Sequence, residues 1–273
     1  MSDAFVVDAE GVHLEGTLRG SGDRVLLLHG GPGLGVEYLE PLADELADGY
    51  AVATYQQRGI APSQIDGPFA VADHVADVVR VLDELGWERA TLVGHSWGGH
   101  LALHVAAAVQ ERLTGVLAVD PLGAVDDGGM AAFAQELGER TPPEDRDRAE
   151  ELDERVLRGE GTAEDDLESL RLYWPAYFSS REAAPPMPPL GMSTECYAQT
   201  AESMQRELPG LERALVSITA RVGFVIGAAS PIPRAPRPTL RTGSPAPGSS
   251  RSRMPATLCG SKRRARSGPP WTG

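Results

Sequence analysis

The chain reads as an α/β protein, with a mostly parallel sheet covered by helices on both faces, a helical cap inserted late in the fold and a disordered C-terminal tail. Three observations predict it. Val25-Leu-Leu-Leu28 is a continuous apolar run, the pattern of a strand buried on both faces. From there to residue 120 strand-like and helix-like periods alternate, as parallel strands joined by helical crossovers require. The stretch Thr91-Leu-Val93 then ends abruptly in Gly94-His-Ser-Trp-Gly98 before a helical pattern begins, which marks a sharp strand-to-helix turn.

Taken in order, Phe5 to Val7 and Val12 to Leu18 are short strands joined by a Glu10-Gly11 turn. Strand 25–28 stops at the glycine-rich His29-Gly-Gly-Pro-Gly33. A helical pattern through Tyr38, Leu39, Leu42 and Leu46 precedes a strand from Ala51 to Tyr55 and a loop, Gln56-Gln-Arg-Gly59, that stays turn-rich as far as Pro68. Val71, Val75, Val78, Val79, Leu82 and Leu85 recur at helical spacing, with Asp73, Asp77, Arg80, Asp83 and Glu84 assigned to the solvent face and His74 to the surface. After the strand into Ser96 come a helix carrying Leu101, Leu103, Val105 and Val109, and a strand from Gly115 to Val119 ending in Asp120.

These patterns divide the chain into a core at 1–125, a helical cap at 126–212, the end of the core with its last recognisable strand at 213–233, and a basic tail at 234–273. Nine of the 25 Lys and Arg and none of the 39 Asp and Glu follow residue 233, so residues 1–233 carry 16 bases against 39 acids, a formal charge of −23. An acidic body disfavours nucleic acid and anionic membranes as partners. Cys196 and Cys259 make no disulfide framework, and no apolar stretch approaches the length of a membrane span, so a cytoplasmic protein is expected. In residues 231–273, Pro, Gly, Ser, Arg and Lys fill 29 of 43 positions, a composition expected to be disordered.

The chemistry centres on Ser96. Glycines two residues away on either side suit a strained turn that lifts the hydroxyl clear of the sheet, and the following helix aims its N-terminal amides at the same spot. Among the histidines, His29 and His95 flank the site and read as braces of their own turns. His100 and His104 lie on the helix behind the serine and read as core. One turn apart without a carboxylate, they do not make a metal site, and no cofactor is expected. The acids of the cap, 150–154 and 164–168, read as solvated helix faces, with reception of a substrate ammonium group as the alternative.

The loop His29-Gly-Gly-Pro-Gly33, the elbow Gly94-His-Ser-Trp-Gly-Gly99 and the triplet Gln57-Arg-Gly59 together resemble the α/β-hydrolase fold, and within it the proline iminopeptidase family of serine aminopeptidases. The resemblance covers about residues 1–230; members of that family usually carry aspartate where this chain has Gln56. It implies acyl transfer from an ester or short-peptide substrate to Ser96, with backbone amides of Trp97 and Gly31 as the oxyanion hole. Relatives that open epoxides or haloalkanes carry aspartate where this chain has Ser96.

A triad in this fold runs serine, acid, histidine along the chain. Here all six histidines lie at or before position 104, and the last acidic residue is Glu212. The strand at 222–226 is followed by Ala228-Ala-Ser-Pro231, which offers no acid. Asp120 is a candidate displaced acid and nothing replaces the histidine. A frameshift within codons 228–240 accounts for the charge shift, the lost patterning and the missing triad together. Displaced by one base and with permissible codons, Thr239 to Arg263 can be reread as DTADRIPGA and then PDAGHFVWFEA. The second segment resembles the turn that carries the catalytic histidine in these hydrolases. Two functional expectations result: a serine hydrolase impaired by its missing base, or a catalytically inactive relative that only binds.

Overall fold

The structure, a computed structural model, describes residues 2–232; the tail at 234–273, with the disorder expected of it and the reread segment, lies outside them. Seven strands form one sheet: β1 (Ser2–Ala9), β2 (Val12–Gly20), β3 (Asp23–Leu28), β4 (Tyr50–Tyr55), β5 (Ala90–His95), β6 (Leu113–Val119) and β7 (Val222–Val225). Their spatial order is β1-β2-β4-β3-β5-β6-β7. The first two pairings are antiparallel and the remaining four parallel. Glu10 and Gly11 both take positive φ (57° and 79°), the backbone of a tight hairpin turn, and let β1 and β2 run longer than their apolar residues alone indicate.

The apolar run in β3 serves both faces. Leu26 and Leu28 pack with Leu92, Trp97 and Leu101 on one side, beneath α2 (Val71–Glu84) and α3 (Trp97–Val109). Val25 and Leu27 pack with Leu39 and Ala43 on the other, where α1 (Glu40–Leu46) lies. Because β4 sits on one side of β3 and β5 on the other, the chain reverses its winding at β3. In open α/β sheets that reversal opens a crevice at the carboxyl ends of the strands. Both glycine motifs leave the sheet there.

Four helices occupy the sequence between β6 and β7: α4 (Met130–Arg140), α5 (Pro143–Leu157), α6 (Ala163–Tyr173) and α7 (Thr194–Leu215). Thr162 caps α6 by accepting the Asp165 amide while Asp165 reaches back to the Thr162 amide, which satisfies two otherwise orphaned donors. The helix α7 packs inward. Its Met204 joins the main core, and Leu211 and Leu215 pack with Leu103 and Ala124. Its Thr200 and Ser203 hydroxyls bond Phe69 O and the Val71 amide at the start of α2.

That packing corrects two assignments. His74 and Asp77, placed on an exposed face from the helical period, are both fully buried. The period identifies the side of α2 that meets the sheet, whereas α7 and the 56–59 loop cover a second side. Asp77 receives both Nε and Nη2 of Arg58 at 2.6 Å, and His74 Nε2 meets the Thr200 hydroxyl at 3.2 Å.

Candidate active site

Ser96 sits between β5 and α3 at φ 53°, ψ −119°. A side chain in that region carries a strain of about 1–3 kcal/mol, so the surroundings must enforce it. Its amide donates to Val119 O on β6 at 2.9 Å, and its carbonyl accepts the amides of Gly99 and His100 at 3.0 and 3.1 Å. The flanking glycines are required by close approach. A Cβ on Gly94 would fall 2.1 Å from Gly98 O, and one on Gly98 would fall 2.1 Å from Leu28 O. The Ser96 side chain is half-buried at the mouth of the crevice. It stands at the N-terminus of the 13-residue α3, whose first amides have no helical acceptor and whose dipole favours negative charge. Trp97, the first residue of that helix, is buried.

The loop after β3 lies directly against this turn: a Cβ on Gly30 would come within 2.9 Å of Ser96 Cβ. Its peptides are held from below. Nε2 of His29 accepts the Gln57 amide at 3.1 Å, which leaves the proton on Nδ1 to donate to Gly30 O at 3.0 Å. Burial lowers His29 to about 4 against the opposing Gly30 hydrogen bond, so the ring is neutral near pH 7. Gln57 extends the network, donating from Nε2 to His29 O (3.0 Å) and accepting from Trp97 Nε1 (2.9 Å). Gly31 follows at φ 60°, a conformation that favours glycine. The structure thus brings Ser96, Trp97 and the Gly30-Gly31 loop to one place.

The segment entering α7 is stitched to the same loop. Gly35 donates to Gly191 O (3.1 Å), Ser193 donates to Gly33 O (2.8 Å), and Leu34 bridges to Met192. Gln56 fixes the loop from the opposite side, accepting the Val36 amide and donating to Leu34 O at 3.0 and 3.1 Å.

Among the described residues, no imidazole makes a hydrogen bond to the Ser96 hydroxyl. His13 pairs with Glu15, His29 with its own loop, His74 with Thr200, His95 with Tyr38, and His100 with His104. Burial holds His74 and His100 at about 3 and His104 at about 4. Asp120 ends β6 with its amide on Val225 O (2.8 Å), and its Oδ1 accepts the Gly227 amide at 2.9 Å. Its carboxylate therefore caps the turn after β7. Arg140 secures that turn by donating to Ala229 O at 2.6 Å. Among the described residues, no three His, Cys, Asp or Glu converge on a metal-sized site, and no helix is long and apolar enough to cross a membrane.

The supporting roles of three residues are not legible in the sequence. Tyr38 was counted as an apolar helix position, yet its Oη accepts the Gly30 amide beside Ser96. Gln57 belongs to the Gln57-Arg-Gly59 motif and Gln56 precedes it, yet nothing in the pattern signals which amide will face the His29 loop.

A family model described as the alpha/beta hydrolase fold matches residues 23–211. A proline iminopeptidase of Saccharolobus solfataricus is 37% identical over 114 residues, covering 40% of this chain and 36% of that protein. Epoxide hydrolase B of Mycobacterium tuberculosis is 32% identical over 124 residues, 44% of this chain and 35% of that one. The chain thus spans little more than a third of the length of these curated relatives. Among solved structures, VinJ superposes with a TM-score of 0.62 at 20% identity, covering 84% of this chain and 83% of that one, a likeness of fold. With its switch-point crevice, its strained strand-to-helix turn and a family match across more than two thirds of its residues, the chain belongs to the alpha/beta hydrolase fold family.

Proposed function

We propose that the site is built for acyl transfer from an ester or amide (peptide) bond to Ser96, as in the proline iminopeptidase-like serine aminopeptidases, and is impaired in this chain for want of a base. The observation that carries the proposal is the Ser96 backbone at φ 53°, ψ −119°, held against the Gly30-Gly31 loop. A hydroxyl in that position attacks a carbonyl carbon, and the amides of Trp97 and Gly31 are the donors proposed for the developing oxyanion. Two gaps bound the activity. No histidine follows Ser96 beyond His104, and one oxygen of the only candidate acid, Asp120, accepts the Gly227 amide. A serine left without its base loses about four to six decades of rate, while an oxyanion hole retains part of the acceleration.

The substrate proposed is a small molecule or short peptide, with no cofactor, nucleic acid or membrane involved, in a cytoplasmic setting. The cap acids enter this reading weakly, because they face arginines: Glu151 and Glu168 meet Arg148, Asp165 meets Arg155, and Glu164 meets Arg171. A second reading, a protein that binds without turnover, is favoured by the missing imidazole alone. Labelling with a fluorophosphonate, followed by peptide mapping, tests the first. The expected result is slow modification confined to Ser96 and abolished by Ser96→Ala; no adduct at Ser96 after prolonged exposure leaves the binding-only reading.

A further inference from the structure

We propose that Tyr38 and His95 are positioning residues that hold the peptide plane entering Gly30 against the turn at Ser96, and that, with His29 holding the plane leaving it, they set the direction of the Gly31 amide. The inference deepens the serine-hydrolase reading and rests on it for its chemical meaning.

Gly30 N–H donates to Tyr38 Oη at 2.5 Å, and Tyr38 Oη lies 2.9 Å from His95 Nδ1. The two rings meet edge-on, with centroids 5.5 Å apart and planes at 67°. On the far side of the same residue, Gly30 O accepts the His29 Nδ1 proton. Both peptide planes flanking Gly30 are therefore held, one by a phenol and one by an imidazole. A planar trans peptide points its C=O and the next N–H in opposite directions, so the Gly31 N–H follows the Gly30 carbonyl held by His29, and the Tyr38 bond fixes the preceding plane from which that carbonyl is set.

His95 gives the clamp its meaning. It is the last residue of β5, immediately before Ser96, and pairs in register with Val119. Tyr38 comes from the short helical turn Glu37–Leu39 on a different part of the chain. Their bond ties the loop after β3 to the end of β5 independently of the sheet ladder. It closes beside the nucleophile: the position a Gly30 Cβ would take lies 2.9 Å from Ser96 Cβ and 3.0 Å from Tyr38 Oη. Burial lowers His95 while Asp120 opposes that shift, and burial raises Tyr38. The pair accordingly stays neutral, and its bond does not depend on charge.

The test uses the full chain labelled with ¹⁵N-glycine, in Tyr38→Phe, His95→Ala and His95→Asn variants; Asn can restore a polar atom near Nδ1. Glycine amide shifts are read together with kcat and KM for p-nitrophenyl acetate, with Ser96→Ala as the baseline. The expected result is displacement of both Gly30 and Gly31 resonances in Tyr38→Phe and His95→Ala, with recovery in His95→Asn. Alongside it, kcat falls about tenfold or more with KM within about twofold. A Gly30 resonance that moves alone, with Gly31 and kcat unchanged, overturns the proposal, as does an inert His95→Ala. If Ser96→Ala leaves ester turnover unaltered, the serine-hydrolase reading falls and the Gly31 resonance alone decides the clamp. If Tyr38→Phe does not fold, the contrast between His95→Ala and His95→Asn decides it.

Discussion

Ser96 holds a backbone conformation that glycine adopts freely and serine does not. The Ser96→Gly variant is therefore expected to be as stable as the parent or more so, by up to about 1–2 kcal/mol, while losing all reaction with a fluorophosphonate. A marked fall in melting temperature contradicts the assignment of strain. The buried histidines make a second prediction at this scale. His29, His74, His100 and His104 are held below their ordinary value, so the unfolded chain binds more protons than the folded one between pH 6.5 and about 3. Their contribution to stability is fully present above pH 6.5 and falls as pH drops, by about 1.4 kcal/mol per pH unit for each histidine that stays neutral only in the fold. Urea midpoints that are flat between pH 7 and 5 would rule this out. The strand-to-helix turn at Ser96 was legible in the sequence because sterics leave few residue types for it: a Cβ at Gly94 or Gly98 has no room. Tyr38 and Gln57 were not legible, since their roles arise from which loop the fold sets opposite them.

Helix α2 shows what periodicity captures and what it omits. Its apolar stripe located the helix almost to the residue, yet Asp77 was assigned to solvent and lies buried against Arg58. A burial pattern with two covered sides has no simple period, because the second cover comes from distant chain segments. Asp77→Ala strands a buried guanidinium and is expected to cost about 3–5 kcal/mol, visible as a lowered urea midpoint. The double variant Asp77→Ala/Arg58→Met should recover much of that loss; a double variant no more stable than the single one contradicts the account. By contrast, the Arg148–Glu168 pair joining α5 and α6 is solvent-exposed and screened, so it adds little to stability.

At the scale of the whole molecule, the alternation of apolar runs and helical stripes sufficed to read the parallel sheet, because strands buried on both faces leave a strong signal in sequence. The sheet order was not readable, since nothing local specifies that β3 lies between β4 and β5. Among the described residues no strand pairs with the outer side of β7, where Phe224 and Val225 are 39% and 41% exposed. An uncovered edge of this kind invites association. A chain reframed by one base within codons 228–240 is expected to melt higher than this one, and equal melting temperatures contradict that expectation. The same pair of proteins tests the central claim most directly, through the second-order rate of fluorophosphonate labelling at Ser96. The account predicts that the chain as written labels at least about a thousandfold more slowly than a reframed chain whose codons are chosen so that the codon overlapping Thr257 reads histidine. Equal and rapid labelling of both would show that Ser96 is activated by a group already present, and would contradict it.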